Sequence, residues 1–112
     1  MGCRVDVVER GDVWLVPLDP TVGSEIRKTR PCVIVSPDEL NAVWRSVLIA
    51  PMTTGGRVAR FRLEVAFGGK RSLILPDQIR AVAKARLVKH LGRLGETDLT
   101  RLLAKIADLF KP

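Results

Sequence analysis

With 112 residues, 46% of them hydrophobic and 28% charged, the chain can bury one core but not two, which excludes both a disordered segment and a multidomain enzyme. Nineteen Lys and Arg against twelve Asp and Glu leave a formal charge of +7, and from residue 57 to 93 ten cations face only Glu64 and Asp77, a net +8, while the remainder is near neutral. Such a field suits a polyanion, either nucleic acid or an acidic protein segment, and equally a surface kept soluble by charge.

Residues 1 to 9 are mixed in polarity and read as a flexible N-terminal segment, although Val5, Val7 and Val8 would suit a short edge strand. A single domain is expected over 10–112. Val13 to Leu18 has β-branched and aromatic content and ends on the turn signal Asp19-Pro20, with Trp14 expected in the core. A polar loop follows from Thr21 to Thr29, carrying Ser24, Glu25, Arg27 and Lys28, of the length at which loops are functional or mobile. Cys32 to Ser36 reads as a buried strand, and residues 37 to 44 as a short helix with Ser36 as cap and Pro37 in the first turn. Ser46 to Met52 is another buried strand, ended by Thr53-Thr54-Gly55-Gly56. Alternation returns over Arg60 to Val65, Gly68-Gly69 turns into Ser72 to Leu75, and short extended pieces follow around 79–83 and 87–91. Leu99, Leu102, Leu103, Ile106, Leu109 and Phe110 recur at helical spacing, predicting an amphipathic helix over about 98–110 with Thr97 or Asp98 at its start. Six or seven short strands closed by one helix describe a mainly β, α+β domain, a small closed or half-closed barrel.

Cys3 and Cys32 do not make a disulfide framework, so a reducing compartment is expected, with Cys32 a small buried thiol. No apolar stretch approaches spanning length and the N-terminus lacks a basic-then-apolar leader; the expectation is a cytoplasmic protein with no membrane partner.

Arg30 precedes Pro31, which pushes its backbone toward extended geometry at the mouth of a strand. A guanidinium held there presents a planar fork of donors that suits a phosphate, or pairs with a carboxylate at a sheet edge; both readings stand on this segment alone. Thr53-Thr54 offers hydroxyls at a strand end or simply turn chemistry, and Glu25 offers a loop base or an ion pair with Arg27 or Lys28. Arg57, Arg60, Arg62, Lys70 and Arg71 flank turns where they can track a phosphate backbone, with Phe61 or Trp44 to stack an unpaired base. His90 is the single histidine, so a two-histidine acid/base pair within one subunit is excluded; it reads as structural or surface. No metal-ligand spacing is present, and no metal or cofactor is expected.

The ordered blocks Arg10-Gly11-Asp12-Val13-Trp14, Asp19 to Glu25, Arg30 to Ser36, Pro51-Met52-Thr53-Thr54 and Asp77-Gln78-Ile79-Arg80 closely resemble the MazF/PemK/Kid family of toxin endoribonucleases over residues 10 to 110. The resemblance implies an SH3-like barrel of the PemK/CcdB kind with a terminal helix, a homodimer, metal-independent and sequence-specific cleavage of single-stranded RNA, and inhibition by a cognate acidic antitoxin. By motif match the family's essential arginine falls on Arg30, its essential threonine on Thr53 and its loop glutamate on Glu25. Ser24, Thr54, Asp77 and Gln78 are further candidates for catalysis or RNA positioning, and Arg27 and Lys28 join the five cations above as RNA-binding candidates. Asp77 matches an aspartate given acid/base work in one plasmid-borne branch, but Leu75 stands where that branch has a companion arginine and Ser24 where it has a loop histidine, which favours the Arg/Thr version. Two other readings remain: a gyrase-poisoning toxin of the same fold, and a non-catalytic RNA-binding barrel.

Overall fold

The computed structural model describes residues 7–18 and 28–112. Among them, seven antiparallel strands form one curled sheet: β1 (Asp12–Pro17), β2 (Thr29–Ile34), β3 (Ser46–Thr53), β4 (Leu63–Phe67), β5 (Lys70–Ile74), β6 (Arg80–Ala83) and β7 (Lys89–Arg93). Their order is β4-β5-β3-β2-β1-β7, with β6 pairing on β3. Two helices join them, α1 (Asp38–Val43) and α2 (Glu96–Leu109). The half-barrel with a C-terminal helix expected from the strand count is thereby realised.

β3 organises the rest. It pairs with β2 from Ile49 to Pro51, with β6 from Ser46 to Ile49, and with β5 at Met52 and Thr53, so its eight residues carry the sheet around the bend. Its first half alternates, with Val47 inward and Leu48 exposed, and from Ile49 to Met52 it is buried on both faces, as a central strand requires. One buried cluster gathers Trp14, Val16, Leu18, Cys32, Ile34, Ile49 and Val82; a second gathers Val13, Val33, Ala50, Met52, Leu63, Ile74 and Leu102 beneath α2.

β2 begins at Thr29, three residues before the expected strand, because β1 pairs with it from Pro17↔Thr29 onward. Pro31 is tolerated there: β2 gains its second partner only at Cys32, so the missing N–H interrupts no ladder on the β3 side. β4 starts at Leu63 instead of residue 60, since Arg62 N–H closes a turn onto Ala59. Its Gly68-Gly69 turn to β5 has positive φ at both residues, 62° and 78°, the backbone a two-residue hairpin requires. The last two strands lie at 80–83 and 89–93, each shifted toward the C-terminus of the expected piece. Val7 and Val8 form no strand, yet Val8 is buried in the first cluster and Glu9 N–H donates to Asp12; Val5 lies outside the described residues.

Ser36 does not cap α1, contrary to expectation. Pro37 occupies the cap position without a side-chain bond, while the Ser36 hydroxyl donates to Asn41 Oδ1 at 2.5 Å and accepts Leu48 N–H at 3.1 Å, tying helix to β3. α2 is capped by Gly95, so Thr97 and Asp98 fall inside its first turn, where Glu96 and Asp98 complement the helix dipole. Leu102 is fully buried, and Leu99 and Ile106 pack beside it.

Candidate active site

Arg30 and Thr53 meet through strand register. Cys32 faces Pro51 across the β2/β3 ladder, and continuing the same antiparallel register by two residues brings Arg30 abreast of Thr53. Across β3's other edge Thr53 faces Leu73, one residue from Ser72. The result is a cavity of about 70 Å³ lined by Arg30, Pro31, Met52, Thr53, Thr54 and Ser72. Arg30 is partly buried, anchored by Pro31 and by its pairing with Val16; Thr53 Oγ1 accepts Gly55 N–H at 3.2 Å, which fixes the hydroxyl at the strand end. The cavity offers a cationic fork and hydroxyl groups, a set suited to an oxyanion rather than to an apolar ligand.

Ser72 was missed by sequence reasoning. Its only signal was a small polar residue at the head of an apolar strand, and the register that turns it toward Thr53 depends on non-local pairing. Arg80 and Arg86 were singled out neither for catalysis nor for RNA. They donate to the carbonyls of Leu18 at 3.2 Å and Pro17 at 2.6 Å, fastening the end of β1 next to the start of β2.

Leu18 N–H donates to Lys28 C=O at 3.0 Å, and Lys28 is exposed with φ 69°. Ser24, Glu25 and Arg27 lie outside the described residues. Asp77 is in the short 3₁₀ turn Pro76–Gln78, away from the cavity lining, and takes both arms of Arg62 at 3.1 and 2.9 Å. Those hydrogen bonds hold its carboxyl below the usual carboxylate range. Gln78 is partly buried beside it, its N–H on Leu75 C=O. Arg57 is exposed on the 54–62 segment, Arg60 lies 4.8 Å over the Phe61 ring and 3.5 Å from Asp108, Lys70 is exposed, and Arg71 pairs with Glu64.

Trp14 is core, edge-on to His90 at 5.2 Å, and His90 Nε2 lies 3.6 Å from buried Asp12. Burial pushes the Cys32 thiol up to about 12, with Arg80 opposing the shift, so the sulfur beside Arg30 is a neutral packing group. Among the described residues no three His, Cys, Asp or Glu side chains converge as a metal cage, and no helix is long and apolar enough to cross a membrane.

Residues 9–110 match the family model of the PemK-like, MazF-like toxin of type II toxin-antitoxin systems. The chain belongs to that family. Among its relatives, the endoribonuclease PemK of Escherichia coli is 39% identical over 112 residues, spanning 95% of this chain and 84% of PemK. The endoribonuclease EndoA of Bacillus subtilis is 32% identical over 102 residues, 86% of this chain and 88% of EndoA. In solved structures this PemK/MazF toxin fold superposes on MazF from Deinococcus radiodurans with a TM-score of 0.81 at 22% identity, covering 92% of this chain and 96% of that one. A mycobacterial endoribonuclease in complex with its cognate antitoxin gives 0.80 at 20% identity, covering 95% and 98%.

Proposed function

We propose that this PemK/MazF toxin is a metal-independent endoribonuclease that cuts single-stranded RNA, with Arg30 and Thr53 as its catalytic residues. The observation that carries this reading is the convergence of Arg30, Thr53, Thr54 and Ser72 on one small cavity. The relatives named as endoribonucleases give the reaction class.

The scissile phosphate sits against the cavity. The ribose 2′-oxygen loses its proton and bonds to phosphorus, the bond from phosphorus to the 5′-oxygen breaks, and that oxygen takes up a proton. Negative charge grows on the equatorial oxygens between those events. Arg30, always protonated, meets that charge with two donors, and the hydroxyl of Thr53 adds a third. An arginine cannot serve as base; Glu25 is the candidate for that role by motif match. Asp77, held ionised by Arg62, has no proton to donate at neutral pH.

The chain works as a homodimer in the cytoplasm, and a cognate acidic antitoxin segment inhibits it by competing for the cationic surface. Antitoxin complexes of the mycobacterial and Deinococcus structures support that partner class. The deciding experiment incubates purified protein with a long single-stranded RNA in EDTA and labels the ends. Discrete fragments with 5′-hydroxyl and 2′,3′-cyclic or 3′-phosphate ends are expected. Fragments bearing a 5′-phosphate would refute attack by the 2′-hydroxyl, and intact RNA would refute the nuclease reading.

A further inference from the structure

The segment from Thr54 to Arg62 leads straight out of the cavity wall and carries Arg57, Arg60 and Phe61, but little holds it. Residues 54–60 are exposed, and its internal bonds are the Gly55-to-Thr53 contact and the Arg62-to-Ala59 turn. Two outside tethers fix it. On one side α2 reaches it: Lys105 Nζ donates to Arg60 C=O at 2.6 Å and Asp108 pairs with Arg60. On the other, Arg62 grips Asp77 with both arms of its guanidinium. The 3₁₀ turn bearing Asp77 is itself fixed to the site strand, because Leu75 N–H donates to Pro51 C=O at 2.9 Å, two residues before Thr53.

We propose that Asp77 and Arg62 are positioning residues, a strut that holds the 54–62 segment at a set angle to the Arg30/Thr53 cavity so that Arg57, Arg60 and Phe61 grip the RNA beside the scissile phosphate. This rests on the nuclease reading and assigns Asp77 a task other than proton transfer. Each carboxylate oxygen takes one N–H of a permanent cation, so the group is held ionised and has no proton to give at neutral pH. The Arg60 guanidinium stacked on one face of Phe61 pre-orients a cation and a ring as one platform, of the kind that takes a phosphate and an unpaired base together. Arg62 and Asp77 lie at the surface, 25% and 36% exposed and outside both core clusters, so their variants are expected to fold, which a thermal midpoint checks.

The test measures KM and kcat on a single-stranded RNA across pH 5 to 9 in EDTA for Arg62→Ala, Asp77→Asn, their double variant and the exchanged pair Arg62→Asp/Asp77→Arg, with NMR backbone order parameters over residues 55–61. Each single variant should raise KM by about tenfold with kcat nearly kept, since a misplaced grip loses binding before chemistry. The double should be no worse than either single, the exchanged pair should recover most of the loss, and order parameters at 55–61 should fall in the singles and return in the exchanged pair. A large kcat loss in Asp77→Asn with a missing limb of the pH profile would make Asp77 a proton carrier and overturn the strut. Additive singles with unchanged order parameters would overturn it as well. If no variant or wild-type protein cuts RNA, the nuclease reading fails, while order parameters at 55–61 still decide whether the strut exists.

Discussion

Arg30 gains its position from two neighbours that do no chemistry. Pro31 removes backbone freedom at the strand start, and pairing with Val16 holds the residue flat against the sheet. With charge stabilisation as its proposed task, Arg30→Ala should lower kcat/KM by about 10² to 10⁴ while the thermal midpoint stays near wild type. Arg30→Lys should recover little, since a point charge lacks the planar fork; a fully active lysine variant would show that charge alone suffices. Thr53→Ala should also cut activity strongly, read as kcat/KM on the same single-stranded RNA. Cys32 gives a separate check. Its thiol is raised in the fold, so the folded state holds the proton while the unfolded chain releases it, and stability should be flat below about pH 8.5 and fall as pH climbs toward 12. Denaturant titrations of a Cys32→Ala variant, which lacks that alkaline slope, isolate the effect.

At the scale of elements, α2 lies close enough to the start of β1 for Leu99 to reach the backbone of Gly11. A Cβ at Gly11 would stand 2.9 Å from Leu99 Cδ2, and its φ of 95° already disfavours any side chain. Gly11→Ala should therefore cost roughly 1–3 kcal/mol, and Leu102→Ala, which empties a fully buried site, roughly 2–5 kcal/mol. Urea unfolding monitored by tryptophan fluorescence measures both. The elements themselves were legible wherever pattern was local. Alternation at Leu63 and Val65, the Gly68-Gly69 hairpin and the 3.6-residue period of α2 all read directly. What was illegible depended on partners far away in sequence: β2 reached back to Thr29 because β1 offered a ladder, and Ser36 turned from cap to staple because Leu48 N–H lay within reach. The site divides the same way. Arg30 and Thr53 were visible as motif residues, but Ser72, and the capture of Asp77 by Arg62, exist only once strands from distant stretches lie side by side.

At the scale of the molecule, the +8 stretch divides into cations that build and cations that remain for a ligand. Arg80, Arg86 and Arg93 are spent on the carbonyls of β1's end and on Asp12, whereas Arg57 and Lys70 stand in solvent. If about five cations meet phosphates, the slope of log K against log salt for an inactive Arg30→Ala protein on single-stranded RNA should be near −3.5. A slope close to zero would remove electrostatic grip from the account. An acidic antitoxin peptide should show the same sign of salt dependence and displace the RNA. Light scattering at micromolar concentration tests the proposed homodimer, for which Trp44, Leu48, Val88 and Leu91 offer exposed apolar surface.

The cavity draws its walls from β2, β3 and β5, and the cluster behind it is closed by Leu102 of the final helix. During synthesis Arg30 and Thr53 therefore leave the ribosome long before Ser72 and α2 can complete the wall and cover the core. At the usual elongation rate the roughly forty residues from Ser72 to the end of α2 take about 2–8 s. A half-made chain has the motif residues but no finished cavity, so a ribosome making this toxin is not exposed to its active form until α2 has been made. The same dependence gives an antitoxin made nearby those seconds to accumulate before there is anything to inhibit.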